Sequence, residues 1–303
     1  MSDDRSTTDI YWEPDFTGTS GVPVVGRFLP ETSIEIINQT VATGGYRDVL
    51  FDFDGTLSLI REGWPEIMIA MMVEFLLQTP DHESEQDLRR TVSEYVMRLT
   101  GKQTIYQMIQ LAEEVAKRNG APLDPLEYKR EYNRRLMRRI SDRRESLRTG
   151  SAPAEEMLVP GTLELLESLV ARGMRIYLAS GTDEPFVKEE AELLGLTRYF
   201  GGNIYGALDN HQSFSKAMVI EKILTENAIR GASLLGFGDA YVEVANVKSV
   251  GGTAVGVASD EAGRSGKPDP WKRERLIAVG ADIVIPDFRE CGVLLDYLFD
   301  ERA

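Results

Sequence analysis

Asp52 and Asp54 stand one residue apart at the end of a short apolar run, in the segment DVLFDFDGT. Two carboxylates this close repel one another and call for a cation, and hard oxygen donors suit Mg²⁺. With the charge neutralised, one carboxylate can attack phosphorus while the other handles protons. The plain alternative is a strand that ends in an Asp-Gly turn. Ser180-Gly181-Thr182 offers a hydroxyl and backbone N–H groups which, at a helix N-terminus, make a phosphate cradle; an ordinary helix cap reads the same way. Lys216 opens the run SKAMVIEKIL and, aimed at the same edge, can bind phosphoryl oxygens and screen a nucleophile. A solvated helix lysine is the alternative, and Lys188 and Lys222 compete with it by type although not by position. Finally, GDAYVE places Asp239 at a strand tip, as a third metal ligand should be, and Glu243 one helical turn on, where it can hold a metal-bound water. A helix cap followed by a surface glutamate accounts for the same residues.

The elements around these residues predict how they meet. Val49 to Phe53 reads as a strand. After Pro160 the pattern alternates: helix 161–172, strand 174–180, helix 183–194, helix 215–226, strand 233–238, helix 240–249, strand 253–258 and strand 282–285. Continuous apolar strands between amphipathic helices predict a parallel sheet covered on both faces, an α/β fold of Rossmann-like type. Ligands of such sheets sit beyond the carboxyl ends of the strands, where Asp52, Ser180 and Asp239 fall. Between about Arg61 and Glu155 apolar residues recur every three or four positions with almost no strand signal, so this block is an all-helical insertion. The expected domains are an N-terminal extension, 1–45, a core of 46–60 and 156–303, and a helical cap, 61–155. Within the extension, residues 1–29 look irregular, and Pro30 to Thr43 carries a helix start and a stop at Gly44-Gly45.

The order of these four motifs on successive elements resembles the haloacid dehalogenase superfamily, in its phosphoglycolate phosphatase and β-phosphoglucomutase branch. The resemblance runs from about Tyr46 to the C-terminus. It implies that Asp52 forms an aspartyl-phosphate, and that Asp54 protonates the leaving group and then activates water. It further implies that Ser180, Gly181 and Lys216 hold the phosphoryl group, and that Asp52, the Asp54 backbone carbonyl and Asp239 bind Mg²⁺. The presence of Asp54 argues against carbon–halogen cleavage. Two departures bear on the metal end: Glu243 stands where aspartate is commoner, and Ala240 replaces the frequent glycine or serine.

The cap would select among esters. LTGKQT, residues 99–104, is a polar break between two helices and resembles the loop that reaches the active site in this branch, which would put Lys102 and Gln103 on the leaving group; a plain helix–helix turn is the alternative. Tyr128 to Arg148 carries nine basic and three acidic residues, yet the cap as a whole is near neutral. That stretch therefore reads as a solvated helix laced by charge pairs rather than as a nucleic-acid surface. A net charge of −15 over 303 residues also argues against duplex binding. Two histidines and one cysteine leave little for a zinc cage or a disulfide. No apolar run reaches membrane-spanning length and the N-terminus lacks a signal-peptide core, so the expected setting is cytoplasmic, with no membrane partner, as a monomer or homodimer. The expected function is Mg²⁺-dependent hydrolysis of a small phosphate monoester, a phosphorylated sugar or short organic phosphate. A sugar phosphomutase of the same fold and a non-enzymatic binding scaffold are the alternatives.

Overall fold

The computed structural model describes residues 26–41 and 43–300. The irregular extension expected over residues 1–29 lies mostly outside them. Two short strands come first, β1 (Arg27–Phe28) and β2 (Glu35–Ile36), followed by β3 (Asp48–Phe51). Five helices follow: α1 (Trp64–Leu76), α2 (Glu85–Arg98), α3 (Thr104–Lys117), α4 (Pro125–Arg139) and α5 (Ser141–Thr149). Then come α6 (Thr162–Ala171), β4 (Arg175–Asp183), α7 (Glu184–Leu193), α8 (Thr197–Phe200), β5 (Ile204–Ala207) and α9 (Lys216–Glu226). The chain ends with β6 (Leu234–Gly238), α10 (Tyr241–Ser249), β7 (Thr253–Val257), α11 (Pro270–Ala278), β8 (Ile283–Ile285) and α12 (Cys291–Phe299).

All the strands join one sheet in the order β1-β2-β8-β7-β6-β3-β4-β5. From β8 to β5 every pairing is parallel, and β3, β6 and β7 are buried along their whole length, as the unbroken apolar runs predict. Phe51 and Phe237 stack across the β3–β6 pair at 4.8 Å between ring centroids. The fold is α/β, with the sheet central and β3 in its interior.

One prediction fails. Among the described residues of Pro30 to Thr43 no helix forms: Glu35 and Ile36 pair antiparallel with Val284 and Ile283 of β8 instead. Ile34 and Ile36 are buried in the core, and the Arg273 guanidinium grips the Glu35 carboxylate at 2.6 and 2.7 Å. The sheet edge offers these residues hydrogen-bond partners and apolar cover that an isolated helix lacks, so tertiary context overrides the local start and stop signals. The sheet thus extends into the segment assigned to the extension.

The helical block forms as its periodicity predicts. Ser84 caps α2 by accepting from the Asp87 amide, and Asp124 caps α4 by accepting from Leu126, with Pro125 in the first turn. Met68, Met71, Met72 and Leu76 of α1 are buried, and α1 packs against α2, α3 and α4. The basic stretch is two helices rather than one, broken at Ile140. Several of its arginines are paired: Arg134 and Arg135 with Glu131, Arg143 with Glu62, and Arg144 with Glu189. Glu62 lies just before α1 and Glu189 in α7, so the stretch also ties the helical block to the sheet layer. Among the described residues no helix is long and apolar enough to cross a membrane.

Candidate active site

Asp52 directly follows β3, its amide donating to the Phe237 carbonyl of β6 at 2.9 Å. The chain then turns back on itself: Gly55, Leu57 and Ser58 donate to Ser58, Phe53 and Phe53 carbonyls, so Asp52 and Asp54 leave the sheet together. Gly55 has φ of +74°, and a Cβ there would lie 2.2 Å from Asp239 Oδ2, so only glycine lets this turn press against the strand tip of β6. Asp52, Asp54, Ser180, Gly181, Lys216 and Asp239 all line one cavity of about 80 Å³. The four sequence motifs therefore converge.

Lys216, in the first turn of α9, donates to Asp52 Oδ1 at 2.8 Å and also pairs with Glu243. All three side chains are almost wholly buried. Of the lysines weighed, Lys188 pairs with Glu184 and Lys222 lies over Tyr205. Glu243, expected at the metal end to hold a metal-bound water, meets the Lys216 ammonium as its second carboxylate.

Asp54 is braced by Thr182, whose hydroxyl donates to Asp54 Oδ2 at 2.8 Å, while Arg61 stands 3.7 Å from Oδ1. Asp54 Oδ1 is buried with no hydrogen-bond partner among the described residues. Burial pushes the Asp54 carboxyl up to about 7 against the opposing pull of Arg61, into the range where it can give and take a proton near neutrality. Burial also raises the Asp52 carboxyl, against the pull of Lys216.

Ser180 and Gly181 do not sit at a helix N-terminus. β4 continues to Asp183 with a register shift between Ala179 and Asp183, and α7 begins only at Glu184. The Ser180 hydroxyl accepts from the Thr182 amide at 3.1 Å, so the triplet meets the cavity as bulged strand.

The cap loop covers the site. A Cβ on Gly181 would lie 2.7 Å from the Lys102 carbonyl oxygen, and one on Gly101 would lie 2.6 Å from the Ala240 Cβ. The alanine that departs from the usual residue thus faces a glycine that makes room for it. Lys102 lines the cavity with Thr100, Thr104 and Gln107. Gln103 does not line it; its amide donates to the Phe214 carbonyl at 2.7 Å and ties the loop to the segment before α9.

Sequence reasoning missed several participants. Arg61 is gripped by Glu190 through two bonds of 2.9 Å and, with Trp64, Met68 and Tyr132, forms the cavity wall on the cap side. Thr182 lay within the quoted triplet without a role. Lys272 of α11 contacts Asp239 and Glu261 at 2.7 Å each, and its partners hold the ammonium above the ordinary lysine value although burial opposes them. The segment KPDPW carries a legible helix start, with Asp269 as cap and Pro270 in the first turn, but nothing in it pointed to the site.

No cluster of three or more ligating side chains is preformed among the described residues. The donor set nonetheless fits a hard divalent ion: Asp52 and Asp239 supply carboxylates to one cavity, with Asp54 beside them. Mg²⁺ keeps several waters and is commonly held by one or two carboxylates, so two side chains and a backbone carbonyl suffice.

Residues 46–251 match the family model of the haloacid dehalogenase-like hydrolases. No curated protein matches the chain. Among solved structures, a predicted phosphoglycolate phosphatase from Haemophilus somnus is 17% identical with a TM-score of 0.53, over 86% of this chain and 100% of its own. A β-phosphoglucomutase from Clostridium difficile is 12% identical with a TM-score of 0.55, over 84% and 98%. A CbbY mutant from Rhodobacter sphaeroides, in complex with xylulose-(1,5)bisphosphate, is 18% identical with a TM-score of 0.54, over 82% and 96%. At these identities the likeness is one of fold. The family match spans the stretch that holds Asp52, Asp54, Ser180, Lys216 and Asp239, and the chain belongs to the haloacid dehalogenase-like hydrolases.

Proposed function

We propose that the protein is a Mg²⁺-dependent phosphatase that hydrolyses a small phosphate monoester through an aspartyl-phosphate on Asp52. The observation that carries this reading is the pairing of two differently held carboxylates on one small cavity. Asp52 is fixed by Lys216, and Asp54 is fixed by Thr182 with its carboxyl pushed up to about 7.

In this reading Asp52 attacks phosphorus, the bond from phosphorus to the ester oxygen breaks, and the Asp54 carboxylic acid gives its proton to that oxygen. Asp54, now a carboxylate, takes a proton from water as the water oxygen attacks the same phosphorus, releasing phosphate and restoring Asp52. Ser180, the Gly181 backbone and Lys216 hold the phosphoryl oxygens. Asp52, Asp239 and the Asp54 carbonyl would hold Mg²⁺, which when bound offsets the charge of the carboxylates and the phosphoryl group. The cavity of about 80 Å³ is well below the ~300–1,000 Å³ of pockets that take drug-sized ligands, which supports a phosphorylated sugar or short organic phosphate.

A phosphomutase shares the first half of this chemistry, and the likeness in fold to a β-phosphoglucomutase keeps that reading in view. A panel of phosphate esters, assayed with Mg²⁺ for both inorganic phosphate and isomerised sugar phosphate, tests the proposal. Phosphate release that stops with chelator is expected. Isomerised product without phosphate release would assign a mutase, and undiminished hydrolysis in chelator would remove the metal from the account.

A further inference from the structure

Each carboxylate expected to meet the ion is tied to a lysine that also touches a further acid. Lys216 bridges Asp52 and Glu243. Lys272 bridges Asp239 and Glu261, and its side chain is 12% exposed. The first belongs to the phosphoryl-binding set; the second has no part in the mechanism above.

The Lys272 ammonium has three protons and three acceptors: Asp239 Oδ2 at 2.7 Å, Glu261 Oε1 at 2.7 Å and Ser259 Oγ at 2.9 Å. The Ser259 hydroxyl in turn donates to the Gly55 carbonyl at 2.6 Å, which links the network to the turn that carries Asp52 and Asp54. The lysine backbone is fixed as well, its amide donating to the Asp269 cap at 2.8 Å at the start of α11. The tight approach of Gly55 to both Asp239 and Glu261 leaves this network little room to rearrange.

A lysine beside a metal-binding carboxylate has two opposing effects. Its charge repels a divalent ion, while its hydrogen bond fixes the carboxylate in one orientation. Glu261 bears on the first effect: a Lys–Glu pair adds no net charge, so Asp239 keeps its full negative charge for the ion. What remains is orientation. Lys272 holds Asp239 by Oδ2 at 2.7 Å, and Asp239 lines the cavity.

We propose that Lys272 and Glu261 form a positioning pair for the ion site, in which Lys272 sets the orientation of Asp239 and Glu261 cancels the charge that Lys272 brings. The inference rests on the Mg²⁺-dependent reading of this site. Partners that orient a metal ligand are typically worth about 10–100-fold in metal affinity.

Calorimetric titration of the full chain with Mg²⁺, without substrate, tests it. Two opposite signs are at stake for Lys272→Met. A lysine that acts only by its charge would, when removed, let Mg²⁺ bind more tightly. A positioning lysine would, when removed, weaken binding by roughly tenfold or more. The expected result is weakening in Lys272→Met, and weakening in Glu261→Gln because the lysine charge then goes uncancelled. Lys272→Arg serves if the methionine variant does not fold: it keeps the charge and loses the three-way geometry, so weakened binding is expected. Unchanged or tighter Mg²⁺ binding in a folded Lys272→Met or Lys272→Arg variant would overturn the proposal while leaving the phosphatase reading in place. Absence of Mg²⁺ binding by the unmodified protein would overturn both.

Discussion

Asparagine in place of Asp52 keeps the shape of the side chain and removes the charge that attacks phosphorus. Lys216 still has Glu243 as partner in that variant, so its ammonium is not left unpaired in the core. Asp52→Asn should therefore fold, with an unchanged circular dichroism spectrum, and lose activity by about 10⁴-fold or more, as nucleophile replacements do. Substantial turnover in the folded variant would remove the mechanism. At this scale the sequence was informative because the four motifs fall in order on successive elements, although each alone also reads as a turn, a cap or a solvated helix residue. Asp52, Asp54, Ser180, Lys216 and Asp239 were all singled out, and all line the cavity. Glu243 was placed by spacing and Gln103 by the resemblance of its loop, and neither says which way a side chain turns; one meets Lys216 and the other the Phe214 carbonyl. Arg61, only a few residues after Asp54, and Lys272, far along the chain, carry no local pattern, so only the folded geometry reveals them.

The loop between α2 and α3 decides how the cap meets the sheet layer. Gly101 has φ of +96°, and a Cβ would lie 2.6 Å from the Ala240 Cβ. Gly101→Ala combines a strained backbone, about 1–3 kcal/mol, with a collision against the start of α10. The expected outcome is a cap that closes poorly: kcat/KM for a small ester should fall by about tenfold or more, while circular dichroism still reports a folded protein. Wild-type kcat/KM in Gly101→Ala would show that this close approach has no part in catalysis. The elements were legible where periodicity is strong, as in α1 to α4 and in β3, β6 and β7. They were not legible where pairing is distant in sequence. β2 exists because β8, some 250 residues later, offers an edge, and Arg273 of α11 offers a countercharge to Glu35. α12 was overlooked because its apolar residues carry no polar contrast to mark a face, although Cys291, Leu294, Leu295 and Leu298 are all buried.

Across the whole molecule, a parallel sheet gathers residues nearly 190 positions apart at one edge, and a helical insertion closes over them. The fold class and the inserted helical block followed from the alternation of patterns. The antiparallel addition of β1 and β2 did not, because two-residue strands are too short to carry a period. The central claim is that Asp52 itself takes the phosphoryl group, and the most direct measurement catches it there. Acetyl phosphate has a leaving group that needs no proton, so an Asp54→Asn variant should still be phosphorylated by it but should lack the base that activates water. Acid quench of that variant with acetyl phosphate and Mg²⁺, followed by peptide mass spectrometry, is predicted to find the phosphoryl group on Asp52. A phosphoryl group on any other residue, or none while the wild-type enzyme turns over the same reagent, would contradict the account.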